Sequence, residues 1–417
     1  MAAGNYLNDL SGLMPTFFFA VQVIQNEPTA LTQACTVNTE VAQVAQGMTA
    51  TYDISPPAGA PQTIVPGALP VIVGETAGKG TLVLTNAQSL FFEYTGEEQR
   101  QLMIAGIYQN KYLNQIKQRI RSIRNAIELN LANTYTQASR VCGTPGSAPF
   151  TFAFQTTPPA TSGMEAFGLL QKEMLDTGSP ENERQLCVNS TNAQRISNLP
   201  NLFKVSEAGS ENLLRTGQLG TIKGFACRPS GQIPTIPVTS LGGNARNYAG
   251  TGYSATTSIA AGATTIPLSG GNGTIIAGDI ISFGSADASR QYMVGSALTA
   301  GALTINLPGL MTAIPQGTAC SVNHYAYTPN MAFTRDAITL VARQPLLPGF
   351  GQAAGGAPGA GGAGGILLDA QLLPDPATGL VYQIAMWSMY RMIAIEIAIT
   401  YGWAVTNPQD LFVLASD

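Results

Sequence analysis

Ile393, Ile395, Ile397, Ile399, Tyr401 and Trp403 alternate with Ala394, Glu396, Ala398, Thr400 and Gly402, a two-residue period held over eleven positions. Successive side chains of a strand point to opposite faces, so this run predicts a strand with one strongly apolar side. The same period decides how the longer apolar stretch Val381 to Val405 is read. With Arg391 and Glu396 inside it and a period of two, it is not a lipid-spanning helix. The chain is therefore read as soluble, with no membrane partner. Gly379 to Trp387 predicts a second long strand, and Leu411 to Leu414 a short closing one after Thr406-Asn407-Pro408-Gln409-Asp410.

The clearest helix signal lies earlier. Thr95-Gly96-Glu97-Glu98 fits a capping box, in which the Thr95 oxygen accepts from the Glu98 amide and the Glu98 side chain reaches back. Leu113, Ile116, Ile120, Ile123, Ile127 and Leu131 follow at helical spacing. No proline interrupts residues 95–144, and Gly143 with Pro145 supplies a stop. The expectation is a helix of about 40 residues, about 60 Å long, lying on a sheet.

Around these elements the chain is short of charge. Only 11% of its residues are charged, against about 25% in an ordinary soluble chain, while 45% are hydrophobic. Such a surface points to a subunit that loses much of its area to partners. Gly and Pro number 45 and 26, so long stretches must be turns and extended loops. Met48 to Ile54 and Leu90 to Tyr94 read as strands, separated by a segment containing Pro56-Pro57-Ala58-Gly59-Ala60-Pro61, Pro66-Gly67 and Pro70. A loop that long without its own core predicts a projecting two-stranded arm resting on a neighbour. Residues 1–44 hold no dominant period. Phe17, Phe18 and Phe19 either anchor an irregular arm on something larger or belong to a short helix in this chain's own core.

The middle of the chain is mixed. Ala160 to Asp176 reads as helix, Gln185 to Asn189 as strand, Ser190 to Leu199 as a short helix, and Gln218 to Cys227 contains a further strand. From 237 to 328 Thr, Ser, Gly and Ala dominate. Short strand signals recur there at Thr264 to Leu268, Asp279 to Phe283, Gln291 to Val294, Leu303 to Leu307 and Ala319 to Asn323. Closely spaced short strands with glycine turns predict a small β-barrel, placed in mid-chain as an insertion. Residues 351–365 are Gly/Ala-rich and read as an exposed loop.

Signals for chemistry are weak. The one histidine, His324, has no triad signature around it and is given a structural or surface role. Cys35, Cys142, Cys187, Cys227 and Cys320 are scattered, odd in number and without a C-x-x-C, so they read as small buried thiols. Gly359-Ala360-Gly361-Gly362-Ala363-Gly364 satisfies G-x-G-x-x-G only by chance, because it lies within repetitive Gly/Ala. No catalytic residue, metal site or cofactor is expected. A net charge of −4 argues against a dedicated nucleic-acid binder. One basic cluster, Lys117, Arg119, Arg121 and Arg124, sits on the long helix. It is read either as a solvated or intersubunit ion-pairing face, or as an inner surface touching DNA phosphates without reading sequence.

Three segments, in order, carry a resemblance. They are Gly224-Phe225-Ala226-Cys227-Arg228-Pro229-Ser230-Gly231-Gln232-Ile233-Pro234, Gly278-Asp279-Ile280-Ile281-Ser282-Phe283, and Asp336-Ala337-Ile338-Thr339-Leu340-Val341-Ala342-Arg343-Gln344-Pro345. With Tyr401-Gly402 and Asn407-Pro408, they resemble the major capsid proteins of tailed bacteriophages, and among these the short-tailed Salmonella phage coat proteins with an inserted β-barrel. The resemblance implies an α+β fold of the Hong Kong 97 type. Its parts would be an N-terminal arm (1–44), an extended E-loop hairpin (45–94), a spine helix of the peripheral domain (95–144), the first part of the axial domain (145–236), an inserted β-barrel (237–328), an axial-domain return (329–378) and the peripheral return strands (379–417).

The resemblance further implies a virion protein assembled in the host cytoplasm, forming hexamers and pentamers of an icosahedral shell around double-stranded DNA, and not an enzyme. No coiled-coil pattern precedes the arm, so a separate scaffolding protein is implied, beside a portal; the presence of a cement protein is left open. The segment after Phe283 is shorter than in those relatives, which puts contacts of the barrel loop in question. An encapsulin-like compartment and a β-rich carbohydrate-binding or adhesin protein are the alternative readings.

Overall fold

The computed structural model describes residues 14–24, 29–44, 46–54, 78–98, 100, 108–150, 163–199, 202, 219–237, 252–271, 274–323, 325–347 and 366–417. The architecture is mixed α+β, built on two sheets, a two-stranded ribbon and a long helix.

The alternating run forms β19 (Met392–Val405), the spine of the first sheet. Its Ile395, Ile397, Ile399 and Tyr401 are buried in the main core, as the period of two demands. It pairs antiparallel with β18 (Val381–Met389), β16 (Ile338–Pro345) and β4 (Asn86–Thr95). Outside these lie β17 (Ile366–Pro374), antiparallel to β18, and β1 (Thr36–Val44), parallel to β16. The helix α3 (Tyr108–Ala132) sinks Ile116, Ile120, Ile123, Ile127 and Leu131 into the same core.

The capping box is present: the Thr95 amide donates to Glu98 at 3.1 Å and the Glu98 amide to the Thr95 hydroxyl at 3.3 Å. Over its described residues, 108–132, the helix spans 25 residues, or about 37 Å, and it ends earlier than expected. A tight 3₁₀ turn, Asn133–Gln137, closes it. Its expected last turn is instead β5 (Arg140–Cys142), drawn into the second sheet by parallel pairing with β20 (Leu411–Ser416). Tertiary pairing overrode a segment whose sequence carries no breaker until Gly143.

The second sheet continues from β5 and β20 through β15 (Thr328–Thr334), β6 (Arg184–Asn189) and β8 (Phe225–Ser230) to β7 (Thr221–Ile222). Helix α4 (Glu165–Asp176) buries Phe167, Leu170 and Met174 with Leu186, Val188, Phe225, Phe412 and Leu414. Helix α5 (Ser190–Ser197) starts on Asn189, whose side chain accepts from the Asn192 amide at 2.9 Å.

Between β8 and β15, which both flank β6, the chain makes a barrel. Its strands run β11 (Ile280–Phe283), β14 (Ala319–Val322), β9 (Tyr253–Ala255), β10 (Thr265–Gly270), β13 (Ala302–Ile305) and β12 (Asp287–Thr299), and β12 pairs back to β11 to close it. Phe283, Tyr292, Val294, Ile266 and Leu303 fill it. The barrel is not hung on a linker: Gln291 and Tyr292 of β12 pair with Val141 and Arg140 of β5.

Candidate assembly surface

The ribbon is the element least explained by the chain's own core. It consists of β2 (Thr49–Ile54) and β3 (Gly78–Val83), paired antiparallel from Thr49↔Val83 to Ile54↔Gly78. Among the described residues it pairs with no third strand. Its base is bedded on the first sheet. Leu82 and Leu84 are buried against Val341, with Ala50 and Ala404 beside them, while Met48 and Val83 stay exposed. The bedding needs Gly402: a Cβ there would stand 2.6 Å from the Val83 carbonyl oxygen and 2.7 Å from Leu82 Cδ2. The proline-rich segment expected to project lies, over 55–77, outside the described residues.

The aromatic triplet divides. It lies on α1 (Met14–Ile24), which packs along α3. Phe17 is fully buried in the main core, so the core reading holds for it, whereas Phe18 and Phe19 are 47% and 53% exposed. Two charges on α3 pin the segment that follows. Arg124 is buried and donates to the Ile24 carbonyl at 2.9 Å and to the Thr29 hydroxyl at 3.0 Å. One turn on, the buried Glu128 carboxylate accepts from the amides of Leu31 (3.1 Å) and Thr32 (2.8 Å), from the Thr32 hydroxyl and from the Ser230 hydroxyl (3.3 Å). It thereby caps the start of the short helix α2 (Leu31–Ala34), where free amides favour an anion. Buried charges are tolerable only when hydrogen-bonded in this way.

The basic cluster is therefore not one patch. Arg124 is spent inside, which corrects its expected place on an open surface. Arg119 turns towards β4, donating through Nε to the Phe91 carbonyl (3.1 Å) and lying 5.0 Å from the Phe92 ring centre. Lys117 points the other way, its Nζ 5.7 Å from the Phe19 ring centre. Arg121 donates to Gln118 Oε1 at 3.1 Å. The helical turn of about 100° per residue separates Arg119 from Lys117 and Arg121.

A second ion cluster, buried at Arg140 and Glu173, had no signal in the sequence. Arg140 on β5 donates to Glu173 of α4 at 2.8 Å. Arg290 of the barrel reaches Asp287 at 3.1 Å and Asp176 at 3.2 Å, and its Nε is 3.9 Å from Glu173. The cluster ties barrel, sheet and helix together across up to 150 sequence positions. Arg140, followed by Val141 and Cys142, is the one member whose apolar surroundings could have flagged it.

The five cysteines are all free and buried. Burial pushes the thiols of Cys35, Cys227 and Cys320 up to about 12, and raises those of Cys142 and Cys187 as well. Among the described residues no group of three or more His, Cys, Asp or Glu is placed to hold a metal, and no helix is long and apolar enough to cross a membrane. His324 and the 351–365 glycine run lie outside the described residues.

No family model matches the chain, and no curated protein matches it. Solved structures do. The chain is similar to the capsid structure of Cyanophage P-SCSP1u, with a TM-score of 0.45 and 9% identity over 94% of this chain and 89% of that one. It is similar to a structure of Mycobacterium phage Che8, with a TM-score of 0.41 and 10% identity over 90% and 88% of the two chains. It is also similar to the virus-like particle from Pyrococcus furiosus, with a TM-score of 0.40 and 8% identity over 96% and 99%.

Proposed function

We propose that this chain is a structural shell subunit, the major capsid protein of a tailed phage, and that it has no catalytic role. Many copies tile an icosahedral shell of hexamers and pentamers around double-stranded DNA in the virion. The observation that carries the reading is the β2–β3 ribbon, which pairs only with itself and has both edges open among the described residues. Open edges invite further contacts, and a neighbouring copy is the partner that the low charge content favours. The ordered resemblance at 224–234, 278–283 and 336–345 supports the same reading.

In this assignment the ribbon lies over a neighbour. The first sheet with α3 forms the peripheral domain, the second sheet with α4 and α5 faces the capsomer centre, and the barrel is an inserted domain. Burial between copies supplies most of the assembly free energy, at roughly 25 cal/mol per Å² of apolar area. A separate scaffolding protein and a portal complete the particle. The test is deletion of residues 56–74, followed by electron microscopy of the protein produced with its neighbouring genes. Soluble subunits without closed shells are expected. Normal particles from the deletion overturn the assignment.

A further inference from the structure

The two site features that the sequence holds about 100 positions apart meet in space. On α1 the positions Pro15, Phe18, Phe19 and Gln22 are all exposed and recur at i, i+3, i+4 and i+7, an outward stripe on a helix without a single charge. Beside it runs α3, which carries Lys111, Lys117, Arg119, Arg121 and Arg124 against one acid, Glu128. That acid is buried on the α2 amides. Lys117 joins the two features, its ammonium 5.7 Å from the Phe19 ring centre.

We propose that the surface formed by Phe18 and Phe19 of α1 with Lys117 of α3 docks an acidic amphipathic helix of a partner protein. Two half-exposed phenyl rings in a row are costly to leave in water and give an apolar anchor of the kind that helix-in-groove recognition uses. The Lys117 ammonium beside the rings selects the sign of the residues flanking that anchor. A phosphate backbone would use the cations and leave the rings wet, so charge and apolar character together favour a peptide over nucleic acid. The proposal stands independently of the shell reading.

The probe is a synthetic helical peptide of about 15 residues, with Leu at i, i+3, i+4 and i+7 and Glu on the flanks, titrated into the full chain by fluorescence anisotropy. Phe19→Ala and Lys117→Glu should each weaken binding at least about tenfold, and Lys117→Arg should restore it. Phe18→Ser serves as the second apolar variant if Phe19→Ala lowers the melting temperature. Failure of the peptide to bind the unaltered chain overturns the proposal. Equal binding of a Lys-flanked peptide also overturns it. So does binding of a DNA duplex of about 20 base pairs that Lys117→Glu abolishes and Phe19→Ala leaves unchanged. Loss of self-association in the Phe19→Ala variant, with no peptide binding, reassigns the surface to a second copy and overturns it too.

Discussion

Gly402 lies directly beneath the backbone of Val83, so close that one added methyl group would stand 2.6 Å from the Val83 carbonyl oxygen. The contact joins β19, the spine of the first sheet, to the base of a ribbon that pairs with nothing else described. Its tightness means that the ribbon's departure point is set by the absence of a side chain on the strand below.

Gly402→Ala is expected to destabilise the chain by about 1–3 kcal/mol, because backbone and not a flexible side chain must give way. Urea denaturation would measure the loss. Limited proteolysis should show faster cleavage near Leu84 and Thr85. A variant as stable and as resistant as the original would mean the ribbon base is not held on β19.

Glu128→Gln keeps the shape of the side chain but turns an acceptor of several bonds into a group with one oxygen and a donor facing donors. The expected cost is about 1.5–3 kcal/mol, the range for hydrogen bonds to a charged group. Hydrogen exchange should report it locally, as lost protection of the Leu31 and Thr32 amides. Unchanged protection there would rule out the pin.

The Arg140–Glu173 pair tests the buried ion cluster. Arg140→Met alone strands Glu173 in the interior, with Arg290 at 3.9 Å and Lys172 at 3.3 Å as its remaining cations, and should cost about 3–5 kcal/mol. Adding Glu173→Leu removes the stranded charge and should recover much of that loss. Additive losses in a double-mutant cycle would show that the two groups are not coupled.

Stability should fall on the alkaline side. The thiols of Cys35, Cys227 and Cys320 sit at about 12 in the folded chain because burial disfavours the thiolate, against an ordinary value of 9.0. Between these values the folded chain holds protons that the unfolded chain has released. The contribution is fully present below pH 9 and is lost as pH rises towards 12. Melting temperatures across that range would follow the loss, and replacing the three thiols by Ala should make it smaller, with Cys142, Cys187 and the buried tyrosines supplying the rest. The native chain should also resist thiol reagents at pH 8, all five thiols reacting only on unfolding.

Much of the element inventory was legible in the amino-acid order. The alternation at Ile393 to Trp403 specifies a strand and its apolar face, because two residues per repeat is a local geometric fact. The Thr95–Glu98 box marked a helical turn, and the Ile116 to Leu131 spacing marked the buried face of α3. The expected barrel strands match β10 to β14 to within a few residues at most ends, since their turns are written in glycines. By contrast, periodicity put Lys117, Arg121 and Arg124 on one side of a helix without saying what covers that side. Arg124 is interior only because Ile24 and Thr29, about 100 positions away, come to rest on it.

By itself the sequence determined which residues can share a face, since side-chain direction follows from backbone period alone. Tertiary structure decided which faces meet. It ended α3 early by pairing Arg140–Cys142 with β20, buried Glu128 on the α2 amides, and passed Val83 over Gly402. Each of those outcomes depends on a contact between distant segments, whose free energy exists only once the core has brought them within hydrogen-bonding or van der Waals reach.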